Sequence, residues 1–397
     1  MNLQRMIRTL LKIVSVIGIL LLTGCWDRTE VNDLGLITGV AIDRVNSNQI
    51  ELSLQIFTPR LSIGGTGEIG KAGIGSDNAM VYSSKGTNIA EALSHLQEKM
   101  SRKLFWGHTE VFIFGESEAK HGISDDIDFF IRAPQPRESA YIYVSEGKAQ
   151  EALEMHAILE RNTSEAYREL AKKKTAMSVT LIELMQMINS DSNSAALPWI
   201  KKNSQETMQS TTISYRVGTA VFKGDRMVTV LGESSTRGVL WLRNEIQNAV
   251  LTVTPDGADG PVSVRLLKSK TTLKPHIEGN DWSVTVRINT SSYAVQNASS
   301  KYLMKSEAID HQVEEALNTY IEHRVLDALR RVQIGLDIDI FDFAGEFRRA
   351  FPKEWHRKRY QWDAIYPKIN VKIETYSELL RPGLSDMNPK HQRVMTQ

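Results

Sequence analysis

The chain of 397 residues contains one cysteine, Cys25. A disulfide needs two thiols, so no intrachain bridge forms, and a metal site built from several cysteines is excluded with it. Stability must come from packed cores. Charge of one sign is also missing. The formal net charge is +1, with 48 basic and 47 acidic side chains, so the basic excess of a nucleic-acid binder is absent. After Cys25 there is no apolar run near the roughly 20 residues that a membrane-spanning helix needs. Catalytic signatures are scarce as well. There is no HExxH pair and no GxSxG elbow, and the nine histidines are scattered. No cofactor is expected.

Two matches to phosphate-binding patterns fail on inspection. Gly65, Gly70 and Lys71 have P-loop spacing, but Ala72 stands where the Mg²⁺-binding hydroxyl belongs. Gly65, Gly67 and Gly70 fit a dinucleotide fingerprint, but Gly73 and Gly75 follow where a helix must start to hold phosphate on its amides. The stretch Gly64–Gly75 is expected to be a connector. Asp337, Asp339 and Asp342 resemble a Ca²⁺ loop without its glycine and distal Glu. They alternate with Ile338, Ile340, Phe341 and Phe343, so buried alternation and a helix cap are the expected reading. The basic cluster Arg348, Arg349, Lys353, Arg357, Lys358 and Arg359 is expected to be a solvated helix face with Trp355 and Trp362 packed inward; contact with anionic lipid or an acidic partner is the sharper reading.

What is present is concentrated at the start. Arg5, Arg8 and Lys12 precede an apolar run from Ile13 to Leu22, then Leu22-Thr23-Gly24-Cys25. A basic start, a short apolar core and a small-residue cleavage site form a secretory signal rather than a span. The lone thiol falls where bacterial lipoprotein processing alkylates it. Cleavage between Gly24 and Cys25 makes the S-diacylglyceryl cysteine the first residue, with an α-amine that can itself be acylated. Each buried methylene contributes about 0.8 kcal/mol, and two acyl chains hold where one is marginal. Losing the three cations of residues 1–24 takes the chain from +1 to about −2.

The body of about 370 residues has room for two or three domains. Strands are expected at Leu36–Asp43, Ile50–Thr58 and from Val81-Tyr82, then a helix from an Asn88 cap to about Lys103. A strand at Val111–Phe114 with His108 at its start, a helix at Ile123–Ile131 and a strand at Tyr141–Val144 continue the alternation. Residues 148–189 read as mostly helical, with Val179, Ile182, Met185 and Ile188 as one stripe. Ser190–Gln209 is polar, contains Pro198, and marks a boundary. Beyond it come a hairpin (Ile213–Phe222, Met227–Leu231), a helix near Gly238–Glu245, and strands at Val250–Val253, Val262–Leu267 and Trp282–Ile288. A long helix follows over 306–332, striped by Val313, Leu317, Ile321, Val325, Leu329 and Val332, then a short helix at Phe343–Arg349 and a last strand at Ile369–Ile373. The expected organisation is a signal peptide at 1–24, an N-terminal α/β region at 25–195 that can divide into two subdomains, a C-terminal α+β domain at 206–380, and a polar tail at 381–397. Each domain is a β-sheet packed with helices, of α+β or α/β class.

The run Cys25-Trp26-Asp27-Arg28-Thr29-Glu30-Val31-Asn32-Asp33-Leu34, continued by Ile37–Asp43, resembles the mature start of the Ger(x)C lipoproteins, the C subunits of bacterial spore germinant receptors. Phe351-Pro352-Lys353-Glu354-Trp355, Trp362 and Val371–Ile373 resemble that family's closing segment. The resemblance implies a non-enzymatic, lipid-anchored subunit on the outer face of the spore inner membrane, working with integral-membrane A and B subunits in the nutrient response. Cys25 is the one family site it carries over. Two rivals share the anchor: a solute-binding lipoprotein of a transporter, which needs a cleft between domains, and an envelope hydrolase built from distant carboxylates.

Overall fold

The computed structural model describes residues 6–9, 12, 30–58, 79–132, 136–155, 157, 159–201, 218–299 and 307–380. Cys25 and its signal segment, the glycine-rich stretch and the tail after Pro382 lie outside them, and the connector after Ser190 is described only to Lys201.

Two mixed sheets organise the chain. The first, nine-stranded among the described residues, runs β3-β2-β1-β5-β6-β7-β8-β9, with β4 (Lys103–Phe105) beside the start of β1. Its centre is β1 (Leu34–Asn46), antiparallel to β2 (Gln49–Phe57) and parallel to β5 (Val111–Gly115), which in turn pairs parallel with β6 (Tyr141–Ser145). β3 (Ala79–Gly86) closes one edge. The period of two sorts these strands onto two faces. Val40, Ile42, Phe112, Phe114, Ile142 and Val144 join one core with helices α1 (Ile89–Lys99) and α3 (Ser124–Arg132). Ala41, Val111, Ile113 and Tyr143 face the other way, onto α4 (Ala149–Leu153) and α5 (Thr163–Lys172). A short α2 (Glu116–His121) follows β5 directly.

Caps set the helix starts. Asn88 accepts the Glu91 amide at 2.9 Å, as expected, and Asn162 accepts that of Glu165 at 2.9 Å. Thr180 and Glu183 form a reciprocal capping box at α6 (Leu181–Ile188). Three differences from the sequence reading follow from packing. Helix α1 ends at Lys99 because residues 103–105 pair with β1, and His108 sits in a 3-10 turn, Trp106–His108. Residues 148–189 hold three short helices rather than a long run. On α6 the deeply buried side chains are Leu181 and Leu184, flanked by half-buried Ile182 and Met185.

The polar connector expected from Ser190 also contains a strand. β7 (Ser194–Ile200) is buried throughout and pairs antiparallel with β8 (Gly218–Lys223), which forms a hairpin with β9 (Arg226–Leu231). The boundary expected after residue 195 therefore falls inside β7. Pro198 is tolerated because β6 reaches β7 only at Trp199 and Ile200. Higher up, β6 bonds to residues 179–181 instead: Ile142 N donates to Val179 O at 2.8 Å and Leu181 N to Ala140 O at 2.9 Å. The first sheet thus continues through β8 and β9.

The second sheet runs β10-β11-β12-β13: β10 (Val250–Val253), β11 (Val262–Glu278), β12 (Asp281–Asn297) and β13 (Asn370–Leu380), the last pair parallel. β11 and β12 are far longer than expected and meet in a hairpin at Gly279, whose φ is +62°. One face packs on α8 (Glu307–Leu329), which buries five of the expected stripe residues, and the sixth, Val332, is buried in the turn that follows. Each such aliphatic side chain contributes about 1.5–3 kcal/mol. The helix ends in a π turn, Arg330–Ile334, where the buried Gln333 amide donates to Tyr366 O (3.1 Å) and Ile369 O (2.8 Å). α9 (Phe343–Ala350), α10 (Pro352–Lys358) and α11 (Trp362–Ile365) complete the core with an aromatic cluster around Trp282, Phe347 and Trp362. α7 (Glu233–Leu242) lies on α8 so closely that a β-carbon on Gly238 would overlap the Arg324 carbonyl oxygen. Among the described residues no helix is long and apolar enough to cross a membrane.

Candidate functional site

The expected attachment site, Cys25 with cleavage after Gly24, lies outside the described residues. Its position in the chain still matters: Cys25 stands nine positions before Leu34, where β1 begins. An anchor there would feed directly into the central strand of the first sheet.

The strongest electrostatic feature lies at the far end of that strand. Asp43 is buried and accepts the Ala149 and Gln150 amides at 2.7 and 2.9 Å, so it caps α4. Burial raises its pKa and the two amides oppose the rise. Gly115 makes the room, since a β-carbon there would overlap an Asp43 carboxylate oxygen. The next residue, Arg44, donates to Glu118 Oε1 of α2 at 2.6 Å. Asp126 of α3 completes a buried triad with Glu118. Desolvation first, then the charge of Glu118 and a hydrogen bond to it, push Asp126 up to about 8. A carboxyl so placed is neutral at pH 7 and donates its proton to the Glu118 carboxylate. That accounts for two buried carboxyl oxygens, Glu118 Oε2 and Asp126 Oδ2, which find no donor among nitrogen or hydroxyl groups. One Arg charge then balances one carboxylate. Paired carboxyls can act as acid and base, but these are sealed: Glu118 is 1% exposed and neither lines a described cleft.

A second network covers the opposite face. Arg168 reaches Glu110, Glu165 (3.0 Å) and Glu169 (2.8 Å), and Arg161 reaches Glu165 at 2.8 Å. The Arg161 hydrogen bond holds Glu165 down at about 2, whereas burial raises Glu110.

The acidic run in the second half is a cap, as the alternation implies. Asp339 is fully buried and accepts the amides of Phe341 (3.2 Å), Phe343 (3.1 Å) and Ala344 (2.8 Å) at the start of α9. Desolvation lifts it to about 6 against those bonds. Asp342 pairs with Arg349 at 3.0 Å and Asp337 does not join them. Among the described residues no three His, Cys, Asp or Glu side chains gather as a metal site.

Where the two halves meet there is a cleft of about 590 Å³, between α6 and the residue 339–349 segment. Ser194 donates to the Asp339 carbonyl, and Arg243 donates to Ile340 O at 2.7 Å and to Glu245 at 2.8 Å. Arg348 pairs with Asp191 at 3.0 Å. Of the cleft's arginines, Arg348 spans the two halves, Arg243 bonds oxygen acceptors within the second, and Arg349 pairs with Asp342 and Glu346 beside it. In the basic cluster Trp355 and Trp362 do pack inward, with ring centroids 5.1 Å apart, while Tyr360 is exposed. His95, His108 and His311 lie on separate elements.

Comparison with known proteins matches this arrangement along the chain. Residues 27–202 match the family described as spore germination protein N-terminal domain, and residues 217–383 the family described as spore germination B3/GerAC like, C-terminal. Spore germination protein KC of Bacillus subtilis (strain 168) is 26% identical over 97% of this chain and 98% of its own. Spore germination protein YndF of the same organism is 25% identical over 89% of this chain and 91% of its own. Among solved structures, that of the GerBC protein superposes with a TM-score of 0.54 at 19% identity, covering 86% of this chain and 97% of that one, a likeness of fold.

Proposed function

Because the chain belongs to the GerAC/B3-like family of spore germination proteins, we propose that it is the membrane-anchored C subunit of a nutrient germinant receptor and acts by contact rather than catalysis. Cys25 carries a diacylglyceryl group after cleavage at Gly24. The body sits on the outer face of the spore inner membrane and touches integral-membrane A and B subunits. The observation that carries this reading is the coincidence of a lone cysteine in a Leu-Thr-Gly-Cys signal with both family segments in order behind it. The nine positions from Cys25 to β1 span at most about 30 Å when extended, so the first domain is kept beside the bilayer.

The chemistry of the buried groups supports a contact role. Asp43 and Asp339 cap helices, and the Glu118–Asp126 pair is spent on Arg44, so the perturbed carboxyls hold backbone and charge in place. Mass spectrometry of the mature N-terminus from native membranes, with capture of co-purifying multi-pass proteins, tests the proposal. An unmodified thiol, or capture with no such partner, refutes it. The cleft between the halves favours a second reading, a solute-binding lipoprotein. A ligand-dependent rise in melting temperature would support that reading, with about 2.7 kcal/mol expected at a hundredfold excess over Kd.

A further inference from the structure

The second sheet covers one face with α8 and α9, and its other face is open. Scattered exposed aliphatic side chains are ordinary on a protein surface, but a group of them is not. Here Val250, Leu267, Val295, Tyr376 and Leu380 are 43, 57, 44, 54 and 36% exposed, and all belong to this sheet. The register puts Val250 and Leu380 in one row and sets Tyr376 across Asn289 from Lys270, four residues from Leu380. Val250 stands opposite Arg265, Arg265 opposite Tyr293, and Tyr293 opposite Leu380, one row across all four strands.

Leu267 and Val295 reach this end of the sheet by the same device. Leu266 pairs with Ser292 and Lys268 with Ser291, so Leu267 is an extra residue in β11. Ser263 pairs with Gln296 and Val264 with Ala294, so Val295 is an extra residue in β12. A bulge re-aims the side chains of its strand. Each of these two bulges gives an aliphatic side chain to solvent, at the end of the hairpin away from its turn.

The charges differ between the two ends of the same face. Toward the turn, Glu374 neutralises Arg287 (2.7 Å) and Lys372 (3.0 Å). At the bulged end, Arg265, Lys268 and Lys270 are exposed and have no acidic partner among the described residues. The acid nearest in register, Glu378, accepts a hydrogen bond from Ser291 at 3.2 Å. Edge lysines alone would serve to block strand pairing. Exposed aliphatic side chains beside them do the opposite, and so call for something that covers them.

We propose that this end of the open sheet face seats on a bilayer surface rich in anionic headgroups. Leu267, Val295, Val250 and Leu380 enter the boundary between headgroups and acyl chains, Tyr293 and Tyr376 lie at headgroup level, and Arg265, Lys268 and Lys270 meet the lipid phosphates. The proposal rests on the membrane-anchored reading only for the nearness of a bilayer, and it adds a second, non-covalent contact to the acyl tether.

The test uses the full chain carrying Cys25→Ser, so no acyl group contributes, floated with phosphatidylcholine vesicles and with vesicles of about one-third phosphatidylglycerol. It is compared with two further variants in the same background, Lys268→Glu/Lys270→Glu and Leu267→Ser/Val295→Ser. All keep the same N-terminal segment, so differences report the sheet face. Binding to anionic vesicles falls at least about tenfold in the charge variant. The aliphatic variant weakens binding to both kinds of vesicle, and both variants melt like the parent. Unchanged flotation of both variants overturns the proposal. So does intact flotation with loss of a co-purifying membrane protein, which would assign the surface to a protein partner. An unmodified Cys25 in native material would refute the tether and leave this result as it stands.

Discussion

Replacing Asp126 by Asn removes one titrating proton from a sealed site and keeps its shape. In the wild type the folded chain retains this proton up to about pH 8, whereas the unfolded chain releases it near 3.8. Between those values the folded state binds more protons, so stability falls as pH rises, by at most about 1.4 kcal/mol per pH unit. Below the unfolded value the contribution is fully present, and above about 8 it is gone. From pH 6 to pH 8 the loss assigned to this carboxyl is roughly 2 kcal/mol. Asparagine does not titrate, and its amide can donate to Glu118 as the neutral acid does. Other raised groups, Asp43, Glu110 and Asp339, are present in both proteins and cancel in the difference. Urea unfolding followed by circular dichroism between pH 5.5 and 8.5 measures it. The variant should be the more stable protein at pH 8.5, and the wild type should recover roughly 2 kcal/mol of that difference as pH falls from 8 to 6. Parallel curves across the whole range would show that Asp126 is ionised throughout and that no proton is shared in the pair.

Gly238→Ala should lower stability by roughly 3 kcal/mol, because α7 and α8 meet at backbone distance and cannot part without breaking their packing; a melting temperature within a degree of wild type would mean the helices slide freely. Asp339→Ala strips the acceptor from three buried amides and should cost about 3 kcal/mol, while Asp339→Asn recovers part of it; equal losses in the two variants would show that volume, not hydrogen bonding, matters there. Cys25→Ala should leave the melting curve of the body unchanged and sharply reduce membrane retention on fractionation; full retention would contradict the acyl anchor.

Much of the fold was legible because its signals are local. The β-rich runs Leu36–Asp43 and Val111–Phe114, the Asn88 cap, the stripe from Val313 to Val332 and the turn between Phe222 and Met227 each depend on near neighbours in sequence, and each is where the sequence pattern puts it. What was hidden depends on pairing across distance. The short apolar run Ser194–Ile200 is set inside the polar stretch Ser190–Gln209 and broken by Pro198, so it reads as connector until β8 supplies its ladder. β11 and β12 read short at opposite ends of their hairpin, because Lys268–Glu278 and Asn289–Asn297 are rich in polar residues and carry little aliphatic alternation. Its two bulges appear only once both strands are in register. The acid pair likewise joins Glu118 and Asp126 from different helices through an arginine 74 positions away from Glu118, and no motif marks it. Asp339 is the exception, since its alternation with Ile338 and Ile340 already pointed to a buried cap.

The strands β8 and β9 belong by sequence to the second family segment and by hydrogen bonding to the first sheet. The junction is therefore not a hinge. A force on the chain near its start would enter β1, cross the ladder strand by strand to β9, and pass through α7 into α8 and the second sheet without meeting a joint that bends. Whatever displaces the first half is therefore carried to the second through paired strands and packed helices.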